Sequence, residues 1–142
     1  MKNIIFVISL IFSLCLLGGC QTHPQQTLYQ KLGGQAGIEN LVASFIQQIG
    51  QDQQIFHYFE HANINHFRNG FVSHLCAISD GPCEYSGDSM VDIHTGMNVN
   101  EADFNHVVDL LVKAMEQNDL PLTTQNEVLS RLAPLRPGVI YL

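Results

Sequence analysis

Apolar residues at Ile38, Leu41, Val42, Phe45, Ile46 and Ile49 recur every three or four positions, the spacing of one face of an α-helix. Gly33-Gly34 before this stripe and Gly50 after it predict a helix of about three turns between them. A brief aromatic cluster follows at Ile55, Phe56, Tyr58 and Phe59, and Asn63 to Asn65 reads as a turn with capping residues. A second stripe, Phe67, Phe71, Val72, Leu75 and Ile78, ends near Asp80-Gly81-Pro82, where Gly and Pro stop a helix. Residues 80–89 are rich in Gly, Pro, Ser and Asp and read as loop. Asn100 with Asp103 opens a third stripe of Phe104, Val107, Val108, Leu111, Val112 and Met115, closed by Asn118 to Pro121. Thr124 and Glu127 have capping-box spacing before a last helix with Val128, Leu129 and Leu132, ended by Pro134 and Pro137. No alternating pattern competes, so the fold class is all-α, with four principal helices and a long irregular segment around His94.

The first twenty residues follow a different pattern. Lys2 is a positive start, Ile4 to Leu17 form a largely apolar run, and Leu17-Gly18-Gly19-Cys20 is a small-residue site ending in cysteine. The run is short for a membrane span, which needs roughly 20 residues. The segment resembles the lipobox leader of bacterial lipoproteins. That resemblance implies a signal peptide over 1–19 and a lipidated Cys20, with an ordinary signal peptide or an uncleaved anchor as the alternatives. Residues 20–27 then form a polar tether and 28–142 one domain. Gln21 stands where inner-membrane lipoproteins carry Asp, so the resemblance leans to an outer-membrane protein facing the periplasm.

Charge narrows the partners. After Cys20, five Lys and Arg face thirteen Asp and Glu, a net charge of −8. Such a surface repels nucleic acid and anionic headgroups, leaving membrane attachment to the lipid. Cys76 and Cys83 are the two thiols within the domain; an exported chain allows a disulfide between them, and two packed free thiols are the other reading.

His94 lies in Met90-Val-Asp-Ile-His-Thr-Gly-Met97-Asn-Val99, among soft apolar side chains. A neutral imidazole in a dry, polarisable lining suits the iron of a flat apolar cofactor. Alone, such a histidine could equally be a hydrogen-bonded core residue.

Leu28-Tyr-Gln-Lys-Leu-Gly-Gly34, Phe56-His-Tyr-Phe59, Gly81-Pro-Cys-Glu-Tyr-Ser-Gly87, Met90-x-x-x-His94 and Asp103-Phe104 together resemble the truncated haemoglobins, most closely group 1, over residues 28 to 135. The resemblance implies a two-over-two helical sandwich around non-covalent haem b. His94 would be the proximal iron ligand, and Phe59 would pack on the porphyrin. Phe67, Phe71, Leu75, Met90, Ile93, Met97, Val99, Phe104 and Leu132 would line the pocket, with Arg68, or less favourably Lys31, near the propionates.

The family's distal hydrogen-bond donors correspond here to Ile46, Phe67 and Phe71, so the distal pocket is expected to be apolar. O₂ held at iron carries partial negative charge, and a donor to it is worth about 1.5 to 3 kcal/mol. Its absence implies rapid O₂ release and a relative preference for CO or NO. His66 and His74 flank this helix; His74 is expected at the surface or near a propionate, and either could act as a sixth ligand. His57, His61 and His106 read as exposed.

The resemblance therefore implies a globin binding diatomic gases. Nitric oxide dioxygenation, or redox or gas sensing at the membrane, are the alternatives. Dioxygenation would need an external reductase, for which the 142 residues show no domain, and no nucleophile–base pair suggests another enzyme.

Overall fold

The computed structural model describes residues 25–142. The leader, Cys20 and the tether up to residue 24 lie outside the described residues. Helices α1 (Leu28–Lys31), α2 (Gly34–Gln51), α3 (Ile64–Ile78), α4 (Met90–His94), α5 (Glu101–Gln117) and α6 (Leu122–Leu132) follow in order, with 3-10 turns at Phe56–Tyr58 and Ala133–Gly138. Among the described residues the only extended pairing is one isolated bridge, Val99 to Ile140.

The α2 stripe is the centre of the molecule. Ile38, Leu41 and Val42 are fully buried, with Phe45 and Ile49 nearly so, and α2 packs on α3 at one side and α5 at the other. Leu75 and Cys76 of α3, Leu110, Leu111, Ala114 and Met115 of α5, and Val128 of α6 complete the core. The helix is longer than its glycines predict, running through Gly50 to Gln51 for 18 residues. Gly50 is exposed with nothing near its absent side chain, so its cost is the chain entropy of a helical glycine, about 1 kcal/mol, and burial of Ile49 outweighs it.

Two short helices escaped the periodicity because four or five residues hold no repeat. Thr27, assigned to the tether by its polarity, caps α1: its hydroxyl accepts from the Gln30 N–H while the Gln30 side chain accepts from the Thr27 N–H. Ser89 caps α4 by accepting from the Asp92 N–H at 3.2 Å, so His94 ends a helical turn and does not lie in irregular chain. The last helix starts two residues before Thr124, which is buried inside it, and Glu127 pairs with Lys31 at 2.6 Å where a capping box had been expected.

Cys76 and Cys83 are joined by a disulfide that ties the end of α3 to the loop leading to α4. Gly81 is required inside that loop: a Cβ there would lie 2.6 Å from the Cys76 carbonyl and 2.7 Å from its sulfur. Closing so short a loop restricts the unfolded chain by about 2 to 3 kcal/mol in the chain-entropy model. The Cys76→Ser, Cys83→Ser double variant should unfold at lower denaturant than the oxidised chain by about that amount, whereas adding reductant to the variant should change nothing.

Asp103, three residues past the Asn100 cap of α5, draws the aromatic cluster onto this helix. Its carboxylate accepts from Gln54 Nε2 at 2.8 Å, from the Tyr58 hydroxyl at 2.8 Å and from Asn100 Nδ2 at 2.7 Å. The bonds from Gln54 and Tyr58 hold Asp103 below the usual carboxylate range; burial and the same contact push the Tyr58 phenol up to about 12. A depressed folded-state carboxyl contributes stability that is complete above its unfolded value and disappears as pH falls through its folded one. Stability measured by denaturant between about pH 7 and pH 3 should therefore fall on the acid side, and more shallowly in Asp103→Asn.

Candidate haem site

Below the aromatic cluster lies a cavity lined by Tyr58, Phe59, His94, Met97, Val99, Phe104, Val107 and Val139. Its elements are fixed from several directions. The 3-10 turn ending at Tyr58 brings Phe59 to it, α4 brings His94, and α5 brings Phe104 and Val107.

The chain segment 96–99 is held by residues 139–142. The N–H groups of Gly96 and Asn98 donate to the Leu142 carbonyl, and that of Tyr141 donates to Val99. Arg136 adds an ion pair to Glu101 and places its guanidinium 5.5 Å from the centre of the Phe104 ring. This C-terminal strap carries no periodic pattern and was not foreseen; neither was Val139 or Val107 as lining.

His94 is half-buried, and its Nδ1 lies 2.7 Å from the Met90 carbonyl. A carbonyl can only accept, so Nδ1 carries a hydrogen, and in the neutral ring the lone pair is then on Nε2. That is the tautomer of a histidine ligand oriented by a backbone carbonyl. With an apolar lining and one free imidazole nitrogen, the donor set fits a haem iron and the walls fit a porphyrin.

Phe59, Met97, Val99 and Phe104 line one cavity with His94. Met90 contributes its carbonyl. Ile93 is 44% exposed and outside the cavity lining, because α4 turns that side chain to solvent. Leu75 is fully buried in the main core and Leu132 packs on that core, both away from His94's cavity. Arg68 is exposed, whereas Lys31 is taken by Glu127.

A row of aromatic rings continues from Phe59, beyond the residues that line the cavity. Phe71 touches Phe45 with ring centres 5.4 Å apart and stacks on Phe67 at 5.8 Å; Phe67 meets Phe59 edge-on at 5.1 Å. Ile46 packs beside them against the core. None of these side chains has a hydrogen to donate. His106, expected to be exposed, is half-buried and pairs with Asp52 at 2.7 Å; burial opposes that carboxylate, but the bonds from His106 and from the Ile55 and Gln54 backbone hold it below the usual range. His74, expected at the surface or near a propionate, is buried against Tyr85, with ring centres 4.9 Å apart.

Residues 27–140 match the model of the family described as bacterial-like globin. The chain is 30% identical over 93 residues to a group 1 truncated hemoglobin of Tetrahymena thermophila, covering 66% of this chain and 77% of that one. It is 28% identical over 113 residues to group 1 truncated hemoglobin GlbN of Mycolicibacterium paratuberculosis, covering 80% and 83%. The crystal structure of truncated hemoglobin from Tetrahymena pyriformis, Fe(III) form, superposes with a TM-score of 0.79 at 24% identity, covering 82% of this chain and all of the other. The chain is a haem-binding globin with the two-over-two helical fold and belongs to the bacterial-like globin family.

Proposed function

We propose that the chain holds haem b on His94 and reversibly binds diatomic gases, O₂, CO or NO, beside an apolar distal wall. The observation that carries this is the Nδ1 bond to Met90, which commits the other ring nitrogen of His94 to a cavity otherwise lined by hydrocarbon and aromatic rings. Haem, when bound, would supply an iron that takes His94 from the protein and a gas molecule from outside. Met90 fixes the ring of His94, Phe59 and Phe104 pack the porphyrin faces, and Phe67, Phe71 and Ile46 exclude water without offering a donor. Arg68 is the cation assigned to the propionates. The chain has no Cys-x-x-Cys-His, so retention rests on His94 and packing. The test is the visible spectrum of the full chain with hemin, before and after dithionite and CO. A Soret band that sharpens and shifts under CO is expected; a colourless chain overturns the reading.

We further propose that Cys20 is lipidated after removal of residues 1–19, placing the globin at the periplasmic side of the envelope, on the outer membrane in preference to the inner. Leu17-Gly18-Gly19-Cys20 and the acidic surface, which gives no electrostatic hold on anionic lipid, support this. Iron kept ferrous there would call on an electron donor outside this chain, a reductase or its equivalent. Labelling cells with a palmitate analogue should mark the wild type and leave Cys20→Ala unmarked; equal labelling of both overturns it.

A further inference from the structure

Helix α4 has two sides with different surroundings. Successive residues on a helix advance about 100°, so Met90 and His94 fall together, Asp92 lies opposite, and Val91 and Ile93 take the two flanks. Met90 and His94 are half-buried, whereas Val91, Asp92 and Ile93 are exposed. The side that carries His94 is thus backed by a solvent-facing side about one helix width away, roughly 10 Å. Val91 and Ile93 are 48% and 44% exposed, and the strap that clasps residues 96–99 adds Tyr141 at 65%. Gly138, where that strap begins, lies close to Met90 and Val91. Three of the six large apolar side chains exposed among the described residues therefore stand on or beside this one short helix. Such side chains scattered singly need no explanation, but gathered ones mark contact surfaces.

Charge says what the surface can meet. Residues 69–112 contain no Lys or Arg and seven of the chain's thirteen Asp and Glu. Some of these carboxylates are compensated: Asp80 pairs with Arg131 at 2.7 Å, Glu101 pairs with Arg136, and Asp103 accepts from Tyr58. Glu84 and Asp88 on the loop into α4, and Asp92 on its crest, are exposed and form no ion pair with Lys or Arg among the described residues. Apolar side chains ringed by uncompensated charge of one sign have the anatomy of a transient protein interface. A second copy of this chain, or an anionic bilayer, would bring like charge to that rim. A cationic protein surface is its complement.

We propose that the outer face of α4, Val91 and Ile93 with Tyr141 beside them and Glu84, Asp88 and Asp92 around them, is the docking surface for a basic one-electron carrier protein. This rests on the haem reading above and deepens it, by placing the electron donor and giving its charge. The exchange is one electron: the reduced carrier is oxidised as ferric globin becomes ferrous, with no bond made or broken. A carrier docked here sits against the solvent side of the same short helix whose inner side holds His94. The apolar centre sheds water on contact, while the acidic rim steers the encounter, so association is fast at low salt and screened at high salt.

The probe is mitochondrial cytochrome c, whose haem edge is ringed by lysines, with its lysine-acetylated form as the neutralised comparison. Backbone amide shifts of the hemin-loaded full chain, reduced and CO-bound, should move on titration at residues 84–93 and 139–142 at low salt, about 10 mM, and return at about 0.5 M. In stopped flow, ferrous globin should be oxidised as excess ferric cytochrome is reduced, about tenfold more slowly at the higher salt or with the acetylated probe. Glu84→Gln with Asp88→Asn should slow the low-salt rate about tenfold, and Val91→Ser with Ile93→Ser should slow it while keeping its salt dependence. Glu116→Gln with Asp119→Asn removes the same charge from the C-terminal end of α5 and should stay within about twofold of wild type. Equal losses in the two charge-removed pairs, shifts lying elsewhere, or a rate indifferent to salt overturn the docking surface and leave the haem reading standing. Self-association through the same amides without probe assigns the face to a second copy and overturns the basic carrier. A chain that takes up no hemin overturns the haem reading, and this proposal with it.

Discussion

Replacing His94 by Ala should strip the protein of stable haem. On the proposed reading the imidazole would supply the protein's bond to iron, and its Nδ1 contact with the Met90 carbonyl holds the ring in place without the metal. Groups that hydrogen-bond a metal ligand typically carry about 10- to 100-fold in affinity, and the ligand itself carries more, so haem transfer to an acceptor globin should accelerate at least about a hundredfold in His94→Ala. Free imidazole, diffusing into the space left by the ring, should restore part of the Soret band in the smaller His94→Gly. An unchanged Soret band and unchanged transfer rate in His94→Ala would remove this residue from the iron. The fold should survive, because His94 is half-buried at the end of a five-residue helix and contributes nothing to the core of α2, α3 and α5.

The same contrast between core and site explains what the amino-acid order discloses. The helices α2, α3 and α5 are long enough to repeat their apolar spacing several times, so Ile38 to Ile49 and Phe104 to Met115 announce themselves as faces. The helices α1 and α4 have too few residues for any period; their only local marks are the Thr27/Gln30 and Ser89/Asp92 cap pairs, which are readable once polar residues are examined as caps and not as linker. His94 is legible through its neighbours in order and spacing. His74 was expected at the surface or near a propionate because nothing local to it reveals that Tyr85, eleven residues on, folds back over its ring. The strap of residues 139–142 over Gly96 to Val99 is a tertiary pairing with no local signature, since backbone hydrogen bonds to the Leu142 carbonyl do not depend on side-chain type. Ile93 shows the limit of motif transfer: adjacency to a ligand places a residue on the same short helix, not on the same face.

Phe71→Gln should slow O₂ release by roughly ten- to a hundredfold relative to the wild type, with a much smaller change for CO. The proposed wild-type wall of Phe67, Phe71 and Ile46 would repel water and fill space without donating a hydrogen bond, so O₂, which draws negative charge onto its outer atom, should leave it quickly. Phe71 is the position to change because it sits at the middle of the wall, between Phe45 and Phe67, and is half-buried, so a side-chain amide there has room to turn toward the ligand while its stem stays packed. A hydrogen bond worth about 1.5 to 3 kcal/mol corresponds to the stated range in rate if association is unaltered. CO is less polarised on iron and should gain little, which makes the ratio of the two effects the diagnostic quantity. Loss of the Phe45 and Phe67 contacts costs stability of about 1 to 3 kcal/mol, so thermal unfolding should be followed in parallel. Stopped-flow O₂ displacement in the wild type that is already slower than in group 1 relatives, or a Phe71→Gln variant that slows CO and O₂ release alike, would show that retention is governed by a barrier to escape and not by the missing donor.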